Sequence, residues 1–390
     1  MNKSIILPFF IILFITSILG GAIGGAFPFG GFFQSPIAHI QLPAEKIPGL
    51  GVFNTSLTLW IGMIILMTFV LLATRNMKNV PEGRLQNIAE VIVEFFVNLA
   101  QTISGSEKGR RFVPLVLSIF LCVVVSNWVG VLPGVGTVGI VESAEVVYSH
   151  KEHKVESCHS SDHGSDHSSD HGSDHSSDHK DFSCKEALKE HLVVFETIPG
   201  TGIKYLPPGR GESKVEKGGG VVLVEDVIDS HSKLESETYN QKHEKPLPSD
   251  LEGRYAGRLL PLLRGANTDL NTTLAIAIVA MVAVQFWGIS ALGIKKYGGK
   301  FFNFSSPIML FVGLLEFIAE LARVVSFTFR LFGNMFAGEV LLVAMMFLLP
   351  FIGIIPFMGL ELFVGVIQAF IFSILTLIFG ITAISDHSEH

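Results

Sequence analysis

The stretch FTFRLFGNMFAGEVLLVAMMFLLP, residues 327–350, decides how this chain is interpreted. It is apolar almost throughout and lies inside a longer apolar run, yet it contains Arg330, Asn334 and Glu339. A charged side chain is expensive in hydrocarbon, so it marks a functional site by default. The stretch therefore predicts a membrane helix whose polar residues serve the activity of the protein.

Apolar runs of about 20 residues, the length that a helix needs to cross a bilayer, recur along the chain. We predict five membrane helices, at 56–73, 112–132, 270–293, 307–348 and 351–383. The last two runs exceed one crossing, so we expect these helices to be tilted, bent or protruding. The sequence therefore predicts an all-α polytopic membrane protein.

The charged residues are concentrated in one long insert, residues 133–268, which has a net charge of −8. The rest of the chain has a net charge of only +1, so the overall −7 says little about the partners of the membrane body. We find no phosphate-binding loop and no nucleophile motif. We therefore expect neither enzymatic catalysis by this chain nor nucleic-acid binding.

The N-terminal segment, residues 1–26, has Lys3, an apolar stretch and then small residues up to Ala26. This order is typical of a secretory signal peptide cleaved near Ala26. An additional membrane helix is the alternative interpretation. Pro8 and the glycine cluster that follows the apolar stretch favour the signal peptide.

Loop charges predict the orientation in the membrane. The loops 74–111 and 294–306 are rich in lysine and arginine, which keeps short loops in the cytoplasm. The two loops are separated by two predicted helices, so the two assignments agree. An N-terminal arm at 27–55 and the insert at 133–268 are then outside a cell inner membrane, and the C-terminus is cytoplasmic.

Residues 83–104 alternate apolar and polar side chains at helical spacing, so they predict an amphipathic helix. One face carries Leu85, Ile88, Ile92, Phe95, Phe96, Leu99 and Ile103, and another carries Glu90, Glu94, Asn98 and Gln101. The helix either lies along the cytoplasmic membrane surface or packs on other membrane helices. The sequence leaves both interpretations open.

The insert contains a repeat, HSSDHGSDHSSDHGSDHSSDH at 159–179, in which an Asp-His pair recurs every four residues. Imidazole and carboxylate are good ligands for zinc, copper or nickel, so weak multi-site metal binding is one interpretation. The candidate ligands are His163, His167, His171, His175 and His179. A solvated linker without metal is the interpretation we favour, because Ser, Gly, Asp and His build no core.

Cys158 and Cys184 bracket the repeat on the predicted oxidising side, so a disulfide between them is expected to close the repeat into a loop. A Cys-His metal site is the rival interpretation. After the repeat, short β-prone runs predict a small β structure between 190 and 230.

Helical geometry separates the charged residues of the fourth predicted membrane helix. Arg323 precedes Arg330 by seven residues and shares its face, whereas Glu339 follows Arg330 by nine, a turn of about 900° that places it on the opposite side. Glu320 and Arg323 are spaced to neutralise each other. Arg330 therefore has no evident partner on its own helix.

The remaining polar residues form two groups at different depths. Glu339, Glu361, Gln368 and Asn334 run from the outside to the middle of the membrane, and Glu316 lies toward the cytoplasm. Arg330, between the groups, stays charged in any realistic environment. The pattern predicts two ion half-paths separated by a fixed positive charge within residues 269–385.

The segments RLFGNMFAGEVLL and QAFIFSILTLIF resemble subunit a of F-type ATP synthases. SNWVGVLPG at 126–134 and NTDLNTTLAIAI at 267–278 also resemble membrane segments of that family. The resemblance covers 56–132 loosely and 269–385 well. The long insert and the signal-like start depart from the usual family pattern, and neither touches the motif residues.

The resemblance implies a non-catalytic membrane stator subunit of the Fo sector. It implies that the last two helices are tilted against a ring of c subunits and that Arg330 faces a carboxylate of that ring. Asn334, Glu339, Glu361, Gln368 and Glu316 take ion-translocation roles by the same resemblance. The implied partners are the c-ring, the b-subunit peripheral stalk, membrane lipids and, indirectly, the F1 sector, and no cofactor is required.

Two rival functions remain at this point, a divalent-metal transporter and a metal-binding envelope protein anchored by its helices. A transporter needs metal ligands inside the membrane, and no histidine lies in a predicted membrane helix. An anchored envelope protein has no need of charged residues in the bilayer.

Overall fold

The computed structural model describes thirteen stretches of the chain. They are residues 11–17, 44–75, 77, 83–105, 109–147, 192–206, 214–217, 220–224, 227–228, 231–237, 251–301, 307–349 and 352–384. The Asp-His repeat with its five histidines, Cys158 and Cys184 all lie outside the described residues. So does the predicted cleavage position at Ala26.

The chain divides into two compact units. The larger unit is drawn from Ile40–Val138, Pro261–Met345 and Ile354–His390, and it contains the long apolar helices. The main helices among the described residues are α1 (Asn54–Thr74), α2 (Arg84–Ser104), α3 (Val113–Val131), α4 (Leu270–Leu292), α5 (Ile294–Phe301), α6 (Pro307–Leu348) and α7 (Ile354–Ile384).

Four of these helices, α1, α3, α4 and α7, are long and apolar enough to cross a membrane. They occupy four of the five predicted membrane helices, and the prediction of an all-α polytopic membrane protein is confirmed. The fifth, α6, is a single helix of 42 residues, about 63 Å long, and it carries five charged side chains. It is about twice as long as the ~30 Å hydrocarbon core of a bilayer.

Helices α3, α4, α6 and α7 share one apolar core, to which α3 and α4 contribute mainly β-branched and small residues and α6 contributes larger ones. Val123, Ala277, Leu331, Ala369 and Phe372 are all buried in their common core. Without a hydrophobic driving force between helices in lipid, close packing of small residues is a main source of association. This core fixes the two long helices that carry the candidate site.

A buried polar cluster connects α1, α3, α4 and α7. Asn127 of α3 donates from Nδ2 to the backbone oxygen of Gly365 in α7, at 3.0 Å, and accepts from Asn267 Nδ2 at 2.6 Å. Asp269 caps α4 by accepting from the backbone N–H of Asn271, and Thr55 of α1 also donates to it. These bonds tie four helices to one another.

Helix α2 has two different apolar surfaces. Phe96 and Ala100 are buried against Phe112 and Val116 beside α3, and Leu377 of α7 belongs to the same cluster. Other apolar residues of the helix are exposed, namely Leu85, Ile88, Val91 and Phe95. One side of the helix packs on membrane helices, and another side remains free to contact lipid.

The smaller unit contains the β structure of the insert. Within the described part of the insert, the strands are β1 (Gly139–Ser143), β2 (Val193–Thr197), β3 (Lys204–Tyr205), β4 (Lys214–Lys217), β5 (Gly220–Leu223) and β6 (Tyr255–Pro261). Four of them form one sheet in the order β1-β6-β2-β3, and β4 pairs with β5. Strand β2 is antiparallel to β6, with Val194 opposite Ala256.

The core of this unit is small and apolar. It is formed by Leu192, Val194, Val224, Leu234 and Ala256. The predicted β structure of the insert is confirmed, but the range 190–230 was too short, because β1 and β6 lie outside it. Arg258 of β6 forms a 2.8 Å salt bridge with Glu142 of β1, which ties these two strands across the sequence.

Candidate functional site

Helix α6 carries Arg330 near its middle. The helix begins at Pro307, a residue favoured in the first turn, where its missing N–H costs no hydrogen bond. It continues without interruption past Glu339, so the helical geometry used for the sequence holds throughout. Arg330 and Glu339 therefore lie on opposite sides of one helix.

Arg330 lies beside the exposed surface of α6. Its neighbours Phe327 and Leu331 are buried in the helix core, whereas Phe329 is 57% exposed and Asn334 is exposed. No hydrogen bond or ion pair joins the Arg330 guanidinium to any of the residues that the structure describes. A permanent cation is thus presented at the border of an apolar surface without a described partner in its own chain.

Glu361 of α7 lies directly against α6 at Gly338. A Cβ atom added at Gly338 would come within 2.8 Å of Glu361 Oε1, so the absence of a side chain there is what admits the carboxylate. Glu361 is only 9% exposed, and it interacts electrostatically with Glu339. Its Oε2 is buried and has no hydrogen-bond partner within the described part of the chain.

A buried carboxylate oxygen without a partner is rare in folded proteins, and it points to a bound water or a functional role. Gln368, seven residues further along α7 and therefore on the same face, is also 9% exposed. The structure thus brings Glu339 and Glu361 together across two helices and places Gln368 deeper in the same helix.

Glu320 and Arg323 form the ion pair that their spacing predicts, with Arg323 Nη1 2.5 Å from Glu320 Oε1. The second oxygen of Glu320 accepts from Gln285 Nε2 of α4 at 3.1 Å. Gln285 Oε1 in turn accepts from the Tyr297 hydroxyl of α5 at 2.5 Å. Sequence reasoning missed Gln285 and Tyr297, although an isolated glutamine in an apolar helix is a signal that it could have used.

Tyr297 is 4% exposed and lies outside the membrane-spanning helices. Burial, followed by the negative charges of Glu320 and Glu316, raises the pKa of Tyr297 to about 12. The phenol therefore keeps its proton at physiological pH and remains a hydrogen-bond donor. Glu316, the predicted cytoplasmic carboxylate, is half-buried and electrostatically coupled to this tyrosine.

Across the described residues, no three His, Cys, Asp or Glu side chains gather into a group that could hold a metal ion. Cys122 in α3 is not in a disulfide, and its sulfur lies 3.7 Å from that of Met63. The predicted metal and disulfide residues of the insert lie outside the described part of the chain, so those predictions stay predictions.

The fold and site define a multi-pass helical membrane protein with ionisable residues buried between its helices. A family model described as ATP synthase A chain matches residues 56–149 and 254–380, more than half of the chain. The chain belongs to the ATP synthase A chain family. The unmatched residues between the two segments fall within the insert.

Several relatives named ATP synthase subunit a show the same similarity. The chain is 24% identical to that of Gloeobacter violaceus over 86% of each chain. It is 34% identical to that of Desulforamulus reducens over 34% of this chain and 52% of the relative, and 38% identical to that of Campylobacter jejuni over 33% and 58%. The last two matches thus span little more than half of the relatives' length.

The contact between α6 and α7 at Gly338 can be tested with cysteines. In a chain with its native cysteines replaced by serine, Gly338→Cys and Glu361→Cys are expected to form a disulfide on mild oxidation, because the two positions touch. Protection of both thiols from a maleimide reagent, reversed by reduction, measures the bond. Gly333→Cys with Glu361→Cys is the control, since a Cβ at Gly333 meets nothing within 4 Å. Equal protection of the two pairs would contradict the contact.

Proposed function

We propose that this chain is the stationary proton-translocating subunit of the membrane sector of a rotary ATP synthase. The observation that carries the proposal is Arg330, a permanent cation at the edge of the exposed surface of α6, with no partner among the described residues of its own chain. Such a charge in hydrocarbon requires compensation. A carboxylate on a ring of c subunits supplies it in this proposal.

The outer half-path consists of Glu339, Glu361, Gln368 and Asn334. The seating of Glu361 against Gly338, beside Glu339, supports this assignment because a proton can pass only between groups that are close together. The orphaned Oε2 of Glu361 offers an acceptor for a water or a proton in this path. The inner half-path leaves through Glu316 at the cytoplasmic end of α6.

Each transfer begins when a proton enters from outside and reaches a ring carboxylate. The neutral carboxyl then turns into lipid, and after nearly a full rotation it releases its proton near Glu316. Arg330 attracts only the ionised form, by roughly 4 kcal/mol for a 4 Å contact at an effective dielectric constant of 20. The same charge repels a proton that would pass directly from one half-path to the other.

The chain carries out no bond chemistry in this proposal, and ATP forms elsewhere in the complex. Its partners are the c-ring, the b-subunit peripheral stalk and, indirectly, the F1 sector. The basic loops 74–111 and 294–306 face the cytoplasm of a cell inner membrane. The insert is then external, as a weak metal-binding segment or a solvated linker closed by Cys158 and Cys184.

The competing metal-transport function has less support. The family match falls on the helices that carry Arg330 and Glu361, and it leaves the His-rich segment out. In the described helices, the polar residues that come together are carboxylates and amides, which suit proton transfer better than binding of a soft metal.

Arg330→Ala is expected to abolish ATP-driven proton pumping in inverted membrane vesicles, a loss of more than about 100-fold given the size of the contact. Quenching of a pH-sensitive dye measures pumping. Vesicles stripped of F1 should leak protons faster, because the barrier between the half-paths is gone. Arg84→Ala, at the exposed start of α2, is the control and should pump normally. Normal pumping by Arg330→Ala would refute the proposal.

Glu339→Gln is expected to slow pumping by about tenfold or more, because the amide no longer exchanges a proton with Glu361. The complex should still assemble, since the substitution preserves the shape of the side chain. Glu145→Gln, an exposed carboxylate of the insert, is the control. Unchanged pumping by Glu339→Gln would remove this glutamate from the outer half-path.

A further inference from the structure

Helix α6 carries two arginines on one face. Arg323 and Arg330 are seven residues apart, which is two turns and about 10.5 Å along the axis. A ring carboxylate that approaches this face would meet two cations of similar reach. If each ring carboxylate is to pair with one arginine only, the charge of the other arginine must be neutralised.

Arg323 is neutralised within the chain. Its Nη1 forms the 2.5 Å salt bridge with Glu320, and its guanidinium carbon lies 4.6 Å from the centre of the Phe379 ring of α7. Stacking on an aromatic face attracts a guanidinium and restrains its direction. Arg330 has neither kind of contact among the described residues.

Glu320 itself is held from a second helix. Gln285 donates to the oxygen that Arg323 does not use, and the buried Tyr297 hydroxyl donates to Gln285. The two bonds agree on the orientation of the amide, which accepts at Oε1 and donates at Nε2. Tyr297 is close to Gly288, where an added Cβ would lie 2.4 Å from its ring.

The network therefore links the buried Tyr297 to Arg323 in a series of contacts. Tyr297 orients Gln285, Gln285 orients Glu320, and Glu320 fixes Arg323 against Phe379. Each of these four polar residues has a described partner. The only charged members of the network are Glu320 and Arg323, whose charges cancel. Glu320 is 12% exposed and Arg323 33%, so solvent screening of the pair is incomplete and its net neutrality matters.

We propose that Glu320 is a positioning residue that neutralises Arg323, so that Arg330 alone is offered to the ring carboxylate. This inference rests on the proposed function. In this proposal Glu320 does not carry a translocated proton, and Gln285 and Tyr297 hold its carboxylate in place.

The test compares Glu320→Gln, Arg323→Gln and the double variant in the full complex, by dye-measured proton pumping in inverted vesicles. Glu320→Gln exposes the charge of Arg323, so we expect pumping to fall about tenfold, within the range of about twofold to a hundredfold usual for coupled residues. Arg323→Gln should lose less of the pumping rate than Glu320→Gln does, because no second cation remains. The double variant E320Q/R323Q should return to within about twofold of the parent.

Glu94→Gln is the control for loss of a carboxylate, because Glu94 is exposed on α2. The amount of assembled complex is measured for every variant. If Glu320→Gln prevents assembly, both assembly and pumping must return in the double variant. A double variant as impaired as Glu320→Gln would overturn the inference, since Glu320 would then act as a proton carrier or a purely structural contact. Normal pumping by Glu320→Gln would overturn it as well.

Failure of this inference is distinguishable from failure of the proposed function. If Arg330→Ala stops pumping while Glu320→Gln does not, only the role of Glu320 is refuted. If Arg330→Ala pumps normally, the proposed function itself fails, whatever the Glu320 variants do.

Discussion

A permanent positive charge in a membrane helix is the constraint on which the rest of this structure depends. Arginine stays charged in any realistic protein environment, so it must be compensated rather than titrated. Arg323 is compensated inside the chain by Glu320 and Phe379. Arg330 is not compensated by any described residue, and the proposed function follows from supplying its partner from a moving neighbour.

Two glycines make room for polar side chains of neighbouring helices. Gly338 leaves the space in which the Glu361 carboxylate lies against α6, and Gly288 leaves the space for the ring of Tyr297. In both places a polar side chain of one helix packs against the backbone of another helix, at a glycine. Packing at Gly338 thereby holds the Glu361 carboxylate, and packing at Gly288 holds the tyrosine that donates to Gln285.

The sequence predicted the helical membrane architecture because apolar length is a local property. It also predicted the Glu320–Arg323 pair and the opposite placement of Arg330 and Glu339, because both depend only on the period of one helix. It could not predict that Gln285 and Tyr297 hold Glu320, since those contacts join three helices. Strands β1 and β6 were missed for a similar reason, because their pairing partners are distant in sequence.

The most direct test of the account places a photoreactive amino acid at the position of Asn334, on the Arg330 face of α6, in the native complex. Irradiation is predicted to cross-link this chain to a small proteolipid that carries a carboxylate in its membrane helix. The same probe at buried Met335 should capture only segments of this chain. Capture of lipid alone, or of this chain alone, from the Asn334 position would contradict the claim that Arg330 faces a moving partner.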